Sequence, residues 1–249
     1  MRGAYGLPPV GDARGLVGEF HRAHLRLIQT TRAFDFSIDP APPNVRYVGP
    51  VLDDPHWLDG TAPPQHSAGG TGPLVLAALP TTFQRQEPTL RRVIQALGIL
   101  PVRGLVTTGP ALASLVSESA APANVTVVKA ASHAAVLPQA AAVVTHAGHG
   151  TVMRALAAGV PLVCLPMGRD QNDNAAKVAF HGAGLVLGKG ASPAAIARAV
   201  SRVLDEPGFR QAAARLGERV RADAQEDAAT SELETLAGTE RTARNGAAA

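Results

Sequence analysis

Between Ala142 and Asn174 the sequence AVVTHAGHGTVMRALAAGVPLVCLPMGRDQNDN runs twice from a short apolar stretch straight into polar, glycine-rich or acidic residues. The first stretch, Ala142-Val143-Val144, stops at Thr145-His146 and passes through Gly148 and Gly150 into Thr151-Val152-Met153-Arg154-Ala155-Leu156. That is the pattern of a strand, a tight turn and a helix start. Glycine in such a turn lets the backbone come close to a ligand, and the free N–H groups of a helix N-terminus attract anions. A phosphate or pyrophosphate suits this chemistry, with His146 and Thr151 flanking it. The second stretch, Pro161-Leu162-Val163-Cys164-Leu165-Pro166, reads as a buried strand, after which Asp170-Gln171 open a further helix through Asn174-Ala175. The Asp170 and Gln171 side chains face the same crevice, where they either cap their helix or recognise hydroxyl groups.

Holding these residues in place requires a scaffold, and six or so short apolar runs alternating with helical patterns provide one. Pro73 to Pro80 is built on Leu74-Val75-Leu76, and Gly104 to Gly109, Val125 to Val128 and Gly182 to Gly188 read as further strands. Leu90, Val93, Ile94 and Leu97 share one helical face, with Gly98 as its stop. Ser192-Pro193 reads as N-cap and first helical residue of a helix whose stripe is Ile196, Val200, Val203 and Leu204. A last helix runs from about Gly208 through Phe209, Ala213, Leu216 and Val220. The fold class expected is α/β: a Rossmann-like parallel sheet with helices on both faces and its ligand outside the carboxyl ends of the strands. Thr81 and Thr82 directly follow the first of those strands, where a hydroxyl either meets a phosphate or caps a helix.

The ordered set His146-Ala147-Gly148-His149-Gly150-Thr151, Gly159-Val160-Pro161, Pro166, and Asp170-Gln171 with Asn174-Ala175 resembles the donor-binding signature of GT-B glycosyltransferases. The family in question includes UDP-glucuronosyltransferases and macrolide and glycopeptide glycosyltransferases. The resemblance implies transfer of a hexose-type sugar from a UDP- or dTDP-sugar donor to an acceptor hydroxyl, with inversion, without a metal and without a further cofactor. It implies that Thr81, His146, Gly148, Gly150 and Thr151 hold the donor diphosphate and that Asp170 and Gln171 hydrogen-bond the donor sugar. Ala131-Ser132-His133 leading to Val136-Leu137-Pro138 resembles the nucleoside-binding loop, which assigns Ser132 and His133 to the nucleoside; His133 is equally placed to cap a helix. Arg154 stands where many members carry a ribose-binding glutamate, and no segment matches the general base, a histidine or His–Asp pair of the N-terminal domain.

Asn44-Val45 before Tyr47-Val48-Gly49-Pro50 resembles the end of the N-terminal acceptor domain. The expected division is therefore a remnant of that domain over 1–50, most of it missing, a linker over 51–72, the donor-binding domain over 73–225, and a disordered tail over 226–249. Leu16 to Gln29 reads as a helix running toward a strand, with His21 and His24 on the helix surface, and Trp57 in the linker either anchors it or packs. An acceptor such as a natural product or a lipid cannot be chosen from this half of the site. The alternative to an enzyme is a non-catalytic nucleotide-sugar-binding module that needs a partner chain carrying the other domain. A Rossmann-type epimerase or oxidoreductase is disfavoured because no Gly-x-Gly-x-x-Gly turn follows the first strand.

Composition narrows the class further. The 46% of apolar residues lie in short runs, none near the ~18 that a membrane span needs, and the first residues lack the apolar core of a secretory signal, so a cytoplasmic location is expected. A net charge of +3 comes from scattered arginines balanced locally by acids, without the basic stripe of a nucleic-acid binder. Cys164, the single cysteine, sits inside an apolar strand and reads as a buried thiol.

Overall fold

The computed structural model describes residues 23–36, 41–54, 72–79, 86–109, 112 and 121–246. The expectations for Thr81, Thr82, His21, Trp57 and most of the linker lie outside them. Two short strands, β1 (Arg26–Ile28) and β2 (Val45–Tyr47), pair in parallel ahead of the main sheet. The strand expected at the end of the pattern over 16–29 is β1, held by pairing of Leu27 with Arg46, and most of the helical part of that pattern lies outside the described residues. His24 lies in a bend, exposed as expected, but not on a helix.

The main sheet is formed by β3 (Leu74–Ala78), β4 (Arg103–Thr107), β5 (Val125–Val128), β6 (Ala140–Thr145), β7 (Leu162–Cys164) and β8 (Gly184–Val186). Its six strands run in the order β5-β4-β3-β6-β7-β8, and every pair is parallel. Between the strands lie α1 (Glu87–Gly98), the single turn α2 (His133–Val136), α3 (His149–Ala157) and α4 (Gln171–Phe180). The helices α5 (Pro193–Asp205), α6 (Pro207–Gln225) and α7 (Ala228–Gly246) follow β8.

The strands read as unbroken apolar runs because both faces are covered. Alternate side chains go to opposite layers: Leu74, Leu76, Val143, Leu162 and Cys164 join a core with α3, α4 and α6. Val75, Ala77, Val144 and Val163 join a second core with α1 and α5. Full burial of each such leucine contributes about 2 kcal/mol. Ser192 caps α5 as read, its Oγ accepting from the Ala195 amide at 3.3 Å. Gly217 lets α6 lie directly on α3, since a Cβ there would sit 2.0 Å from the Leu156 carbonyl oxygen.

The segment before the sheet docks on the α3–α4 layer. Phe34 is 1% exposed in the first core, and Thr30 hydrogen-bonds the Met153 sulfur at 3.6 Å. Asp35 accepts from Lys177 at 2.8 Å and from the Tyr47 hydroxyl at 2.9 Å. Burial by itself would raise its carboxyl, but these two partners hold it below the usual carboxylate range. The tail departs from expectation: residues 228–246, read as disordered, form α7. The stretch Ala228 to Ala237 is rich in good helix formers, and Glu232 pairs with Arg46 at 3.2 Å. Among the described residues no helix is long and apolar enough to cross a membrane.

Candidate functional site

Strand register sets the site. Ala78, Thr107, Val128, Thr145, Cys164 and Val186 form one row across the sheet, so all six strands finish along a common carboxyl edge. The chain winds outward from β3 through β5, then returns to β6 and winds the other way. The neighbouring strands β3 and β6 therefore connect to opposite halves of the sheet, and doubly wound sheets bind ligands in the crevice outside the carboxyl ends of such a pair. His146 and Gly148 follow β6 at that crevice, and Thr81 follows β3 beyond the described residues.

His146 packs over Gly148: a Cβ on residue 148 would lie 2.4 Å from its Nε2. Burial pushes its pKa down to about 4, against the Ala78 carbonyl and the Asp170 carboxylate, which favour the charged form. The ring is therefore neutral near pH 7. Among the described residues its buried Nδ1 has no hydrogen-bond partner, and it donates to a ligand only in the tautomer that places the ring proton there. Burial likewise lowers His149, with Asp170 opposing and Lys177 assisting.

The turn out of β6 is tight. Ala147 is fully buried and holds φ +64°, a left-handed conformation that costs a non-glycine residue about 1–2 kcal/mol. Its amide donates to Thr145 Oγ1 at 3.3 Å and its carbonyl accepts from Asn174 Nδ2 at 3.1 Å. Gly148 then caps α3, its carbonyl accepting from the Val152 amide at 3.0 Å. His149, Gly150 and Thr151 are half-buried residues, and the first turn holds no acidic side chain. Donors clustered at a helix start are the kind of group that attracts anions.

On the neighbouring loop, Asp170 is exposed and accepts from Asn174 Nδ2 at 2.9 Å. Gln171 is 2% exposed, and its Oε1 accepts from the amides of Met167 at 2.8 Å and Gly168 at 3.1 Å. Its side-chain oxygen thus shapes the loop that presents Asp170. The pair therefore divides its labour, with Asp170 facing the crevice and Gln171 supporting it.

Ser132 and His133 are occupied differently from the sequence assignment. Ser132 is the N-cap of α2, its Oγ accepting from the Ala135 amide at 3.1 Å and donating to Asp54 at 2.6 Å. The same carboxylate accepts from the amides of His133 and Ala134, each at 3.2 Å. Arg154 closes the arrangement, donating to the Leu52 carbonyl at 3.0 Å and to the Asp53 carbonyl, and lying 3.9 Å from Asp54. Burial lowers the His133 pKa, the Arg154 charge adds to that and Asp54 opposes it. Beside this lock lies a cavity of about 190 Å³ bordered by Leu52, His133, Pro138 and Arg154. Cys164 is fully buried as read, and burial pushes its thiol up to about 12.

Sequence reasoning did not foresee the contacts of three residues at this site. Asp54 and Arg154 meet across about a hundred residues, for which spacing holds no signal. Asn174 did carry one, as an amide four residues after Asp170 on one helix face.

The model of the family described as "Erythromycin biosynthesis protein CIII-like, C-terminal domain" matches residues 105–236, more than half of the chain. 4'-Demethylrebeccamycin synthase of Lentzea aerocolonigenes is 39% identical over 194 residues, covering 77% of this chain and 45% of that protein. TDP-daunosamine transferase DnrS of Streptomyces peucetius is 32% identical over 201 residues, covering 68% of this chain and 47% of that protein. The chain thus spans about half the length of the curated relatives it matches. Among solved structures, the glycotransferase of kitacinnamycin superimposes with a TM-score of 0.74 at 21% identity, over 90% of this chain and 63% of that one. Spinosyn rhamnosyltransferase SpnG complexed with thymidine diphosphate does so with a TM-score of 0.69 at 24% identity, over 88% and 60%.

Proposed function

The chain belongs to the family of erythromycin biosynthesis protein CIII-like C-terminal domains, and from that premise we propose that it binds the nucleoside diphosphate sugar used in a glycosyl transfer. The observation that carries this reading is the half-buried, neutral His146, whose Nδ1 has no partner among the described residues, beside the start of α3, all at the crevice where the sheet changes winding direction. A diphosphate supplies the acceptor oxygens that those donors lack. The sugar extends toward Asp170, and the nucleoside toward the α2 end and its cavity.

In the transfer, the bond between the anomeric carbon and the β-phosphate oxygen breaks and its electron pair leaves with the diphosphate. The acceptor oxygen bonds to the anomeric carbon from the opposite face and gives up its proton to a base. Negative charge grows on the departing oxygen, and a donor fixed there beforehand, His146 or an α3 amide, is worth about 3 kcal/mol. Thymidine diphosphate is the preferred nucleotide in this reading, because one relative's name specifies a TDP-sugar and one structural neighbour was solved with thymidine diphosphate. The acceptor is a small molecule, as the relatives' names suggest.

Calorimetric titration with dTDP, UDP and their glucose conjugates, beside an assay for nucleotide released by hydrolysis, tests the proposal. Binding of dTDP with His146→Ala weakening dTDP far more than thymidine is the result expected. Equal losses for dTDP and thymidine, or no binding of either nucleotide, would refute the donor-site reading.

A further inference from the structure

Asn174 does more than begin a helix. It is 5% exposed, and its Nδ2 makes two hydrogen bonds, to the Ala147 carbonyl at 3.1 Å and to Asp170 Oδ2 at 2.9 Å. Both partners are acceptors, which fixes the orientation of the amide. One bond reaches the turn that carries His146 into α3; the other reaches the carboxylate on the facing loop. A single nitrogen therefore joins the two halves of the crevice.

The turn needs this restraint. Ala147 is a left-handed, buried non-glycine residue, and such a conformation persists only where the surroundings over-determine it. The Thr145 hydroxyl holds its amide and Asn174 holds its carbonyl, so both polar groups of the strained residue are bound by side chains. If the carbonyl were released, the 147–148 peptide could rotate, taking with it the direction of the α3 amides and the seat of the His146 ring on Gly148. Asp170 depends on the same nitrogen. Among the described residues the hydrogen bond that holds the carboxylate is the one from Asn174 to Oδ2, and its charge acts on His146 and His149 across the crevice.

We propose that Asn174 is a positioning residue that locks the diphosphate-holding turn and the sugar-facing carboxylate into one geometry, so that the phosphate and sugar ends of the donor are gripped together. The inference rests on the donor-site reading above. Because its two bonds are distinct, they separate experimentally. Loss of the Ala147 bond acts on the diphosphate, while loss of the Asp170 bond acts only on ligands that carry a sugar. Glycine at position 147 holds a positive φ without steric cost, so it relieves the first dependence and leaves the second.

The test is calorimetric titration of the full chain with thymidine, dTDP and dTDP-glucose, for the wild type, Asn174→Ala, and Asn174→Ala combined with Ala147→Gly, with circular dichroism as the check on folding. Asn174→Ala is expected to weaken dTDP roughly ten-fold, the equilibrium weight of one released left-handed residue, to leave thymidine within about two-fold, and to cost dTDP-glucose a further factor of about five. Adding Ala147→Gly restores most of the dTDP affinity and none of the sugar increment. A folded Asn174→Ala chain that binds all three ligands like the wild type, or loses all three equally, overturns the inference. Where Asn174→Ala alone does not fold, the double variant decides: dTDP binding kept with the sugar increment lost supports the proposal, and both kept or both lost overturn it. A wild-type chain that binds none of the ligands removes the donor-site reading itself and this inference with it. A binding wild type with an unchanged variant removes this inference alone.

Discussion

One methyl group added at Gly148 isolates the role of His146. Gly148 has φ −62° and ψ 134°, a region open to any residue, so Gly148→Ala meets no backbone penalty of conformation. The new Cβ would lie 2.4 Å from His146 Nε2 and 2.8 Å from its Cε1, where ordinary contact begins at 3.4 Å. The ring must retreat by about 1 Å, the scale of overpacking that costs about 1–3 kcal/mol in a packed site. Replacing glycine by alanine as N-cap adds at most about 1 kcal/mol. The displaced imidazole can no longer donate its ring N–H to a phosphate, and a hydrogen bond to a charged group is worth about 1.5–3 kcal/mol. The affinity for dTDP should therefore fall about 10- to 100-fold, while thymidine, which lacks the diphosphate, keeps its affinity. Calorimetry with both ligands, beside a thermal melt showing a folded protein, reads this directly. A folded variant with wild-type dTDP affinity would refute the claim that the His146 ring, in this seat, is a phosphate ligand.

Other consequences follow from the same geometry. The native state refuses a proton at His146 that the unfolded chain accepts below about pH 6.5, so stability is complete above that pH and falls as pH drops toward the native value of about 4. About 2 kcal/mol is lost by pH 5, and His146→Gln should flatten a urea-unfolding comparison of pH 7 with pH 5 by that amount; an unchanged pH dependence would contradict the buried, neutral ring. Arg154→Ala unties residues 52–54 and should reduce stability by about 1–3 kcal/mol and open the chain near Asp54 to limited proteolysis, whereas wild-type resistance would show that the lock is ornamental. Asp170→Ala should leave dTDP affinity unchanged and remove the advantage of dTDP-glucose over dTDP, which calorimetry tests; a loss for dTDP itself would place Asp170 on the phosphate instead.

The sheet was legible because its cause is local. Runs such as Leu74-Val75-Leu76 and Val125-Thr126-Val127-Val128 admit one reading when glycine and helical stripes punctuate them, and Ser192-Pro193 marks a helix start by capping chemistry alone. His146 and Gly148 were legible for the same reason, since strand, turn and helix start lie within a dozen residues. What the sequence hid depends on distance in the chain. Whether Ser132 meets a ligand or a linker carboxylate is decided by Asp54, 78 residues away, and whether Arg154 faces the crevice is decided by the Leu52 carbonyl, 102 residues away. Gln171 looked like a ligand residue because its type suits hydroxyl recognition, but its oxygen answers to amides three and four positions earlier. The tail was misread for a different reason: low hydrophobicity suggests disorder, yet α7 needs only helix propensity and an edge contact such as Arg46 with Glu232.

The distribution of backbone strain identifies α4 as the organiser of the site. Among the described residues the non-glycine positions with positive φ are Ala147 and Arg169, one on each loop that borders the crevice. The first turn of α4 restrains both loops: Asn174 binds the Ala147 carbonyl, and Gln171 binds the amides of Met167 and Gly168 just ahead of Arg169. The opposite end of the same helix is tied to the segment before the sheet, through Lys177 to Asp35 at 2.8 Å and through His181 to the Phe34 carbonyl at 3.0 Å. A helix of ten residues is only about 15 Å long, so α4 joins these contacts over a short span. The strained loops are therefore tied to the segment that precedes the sheet as well as to the sheet.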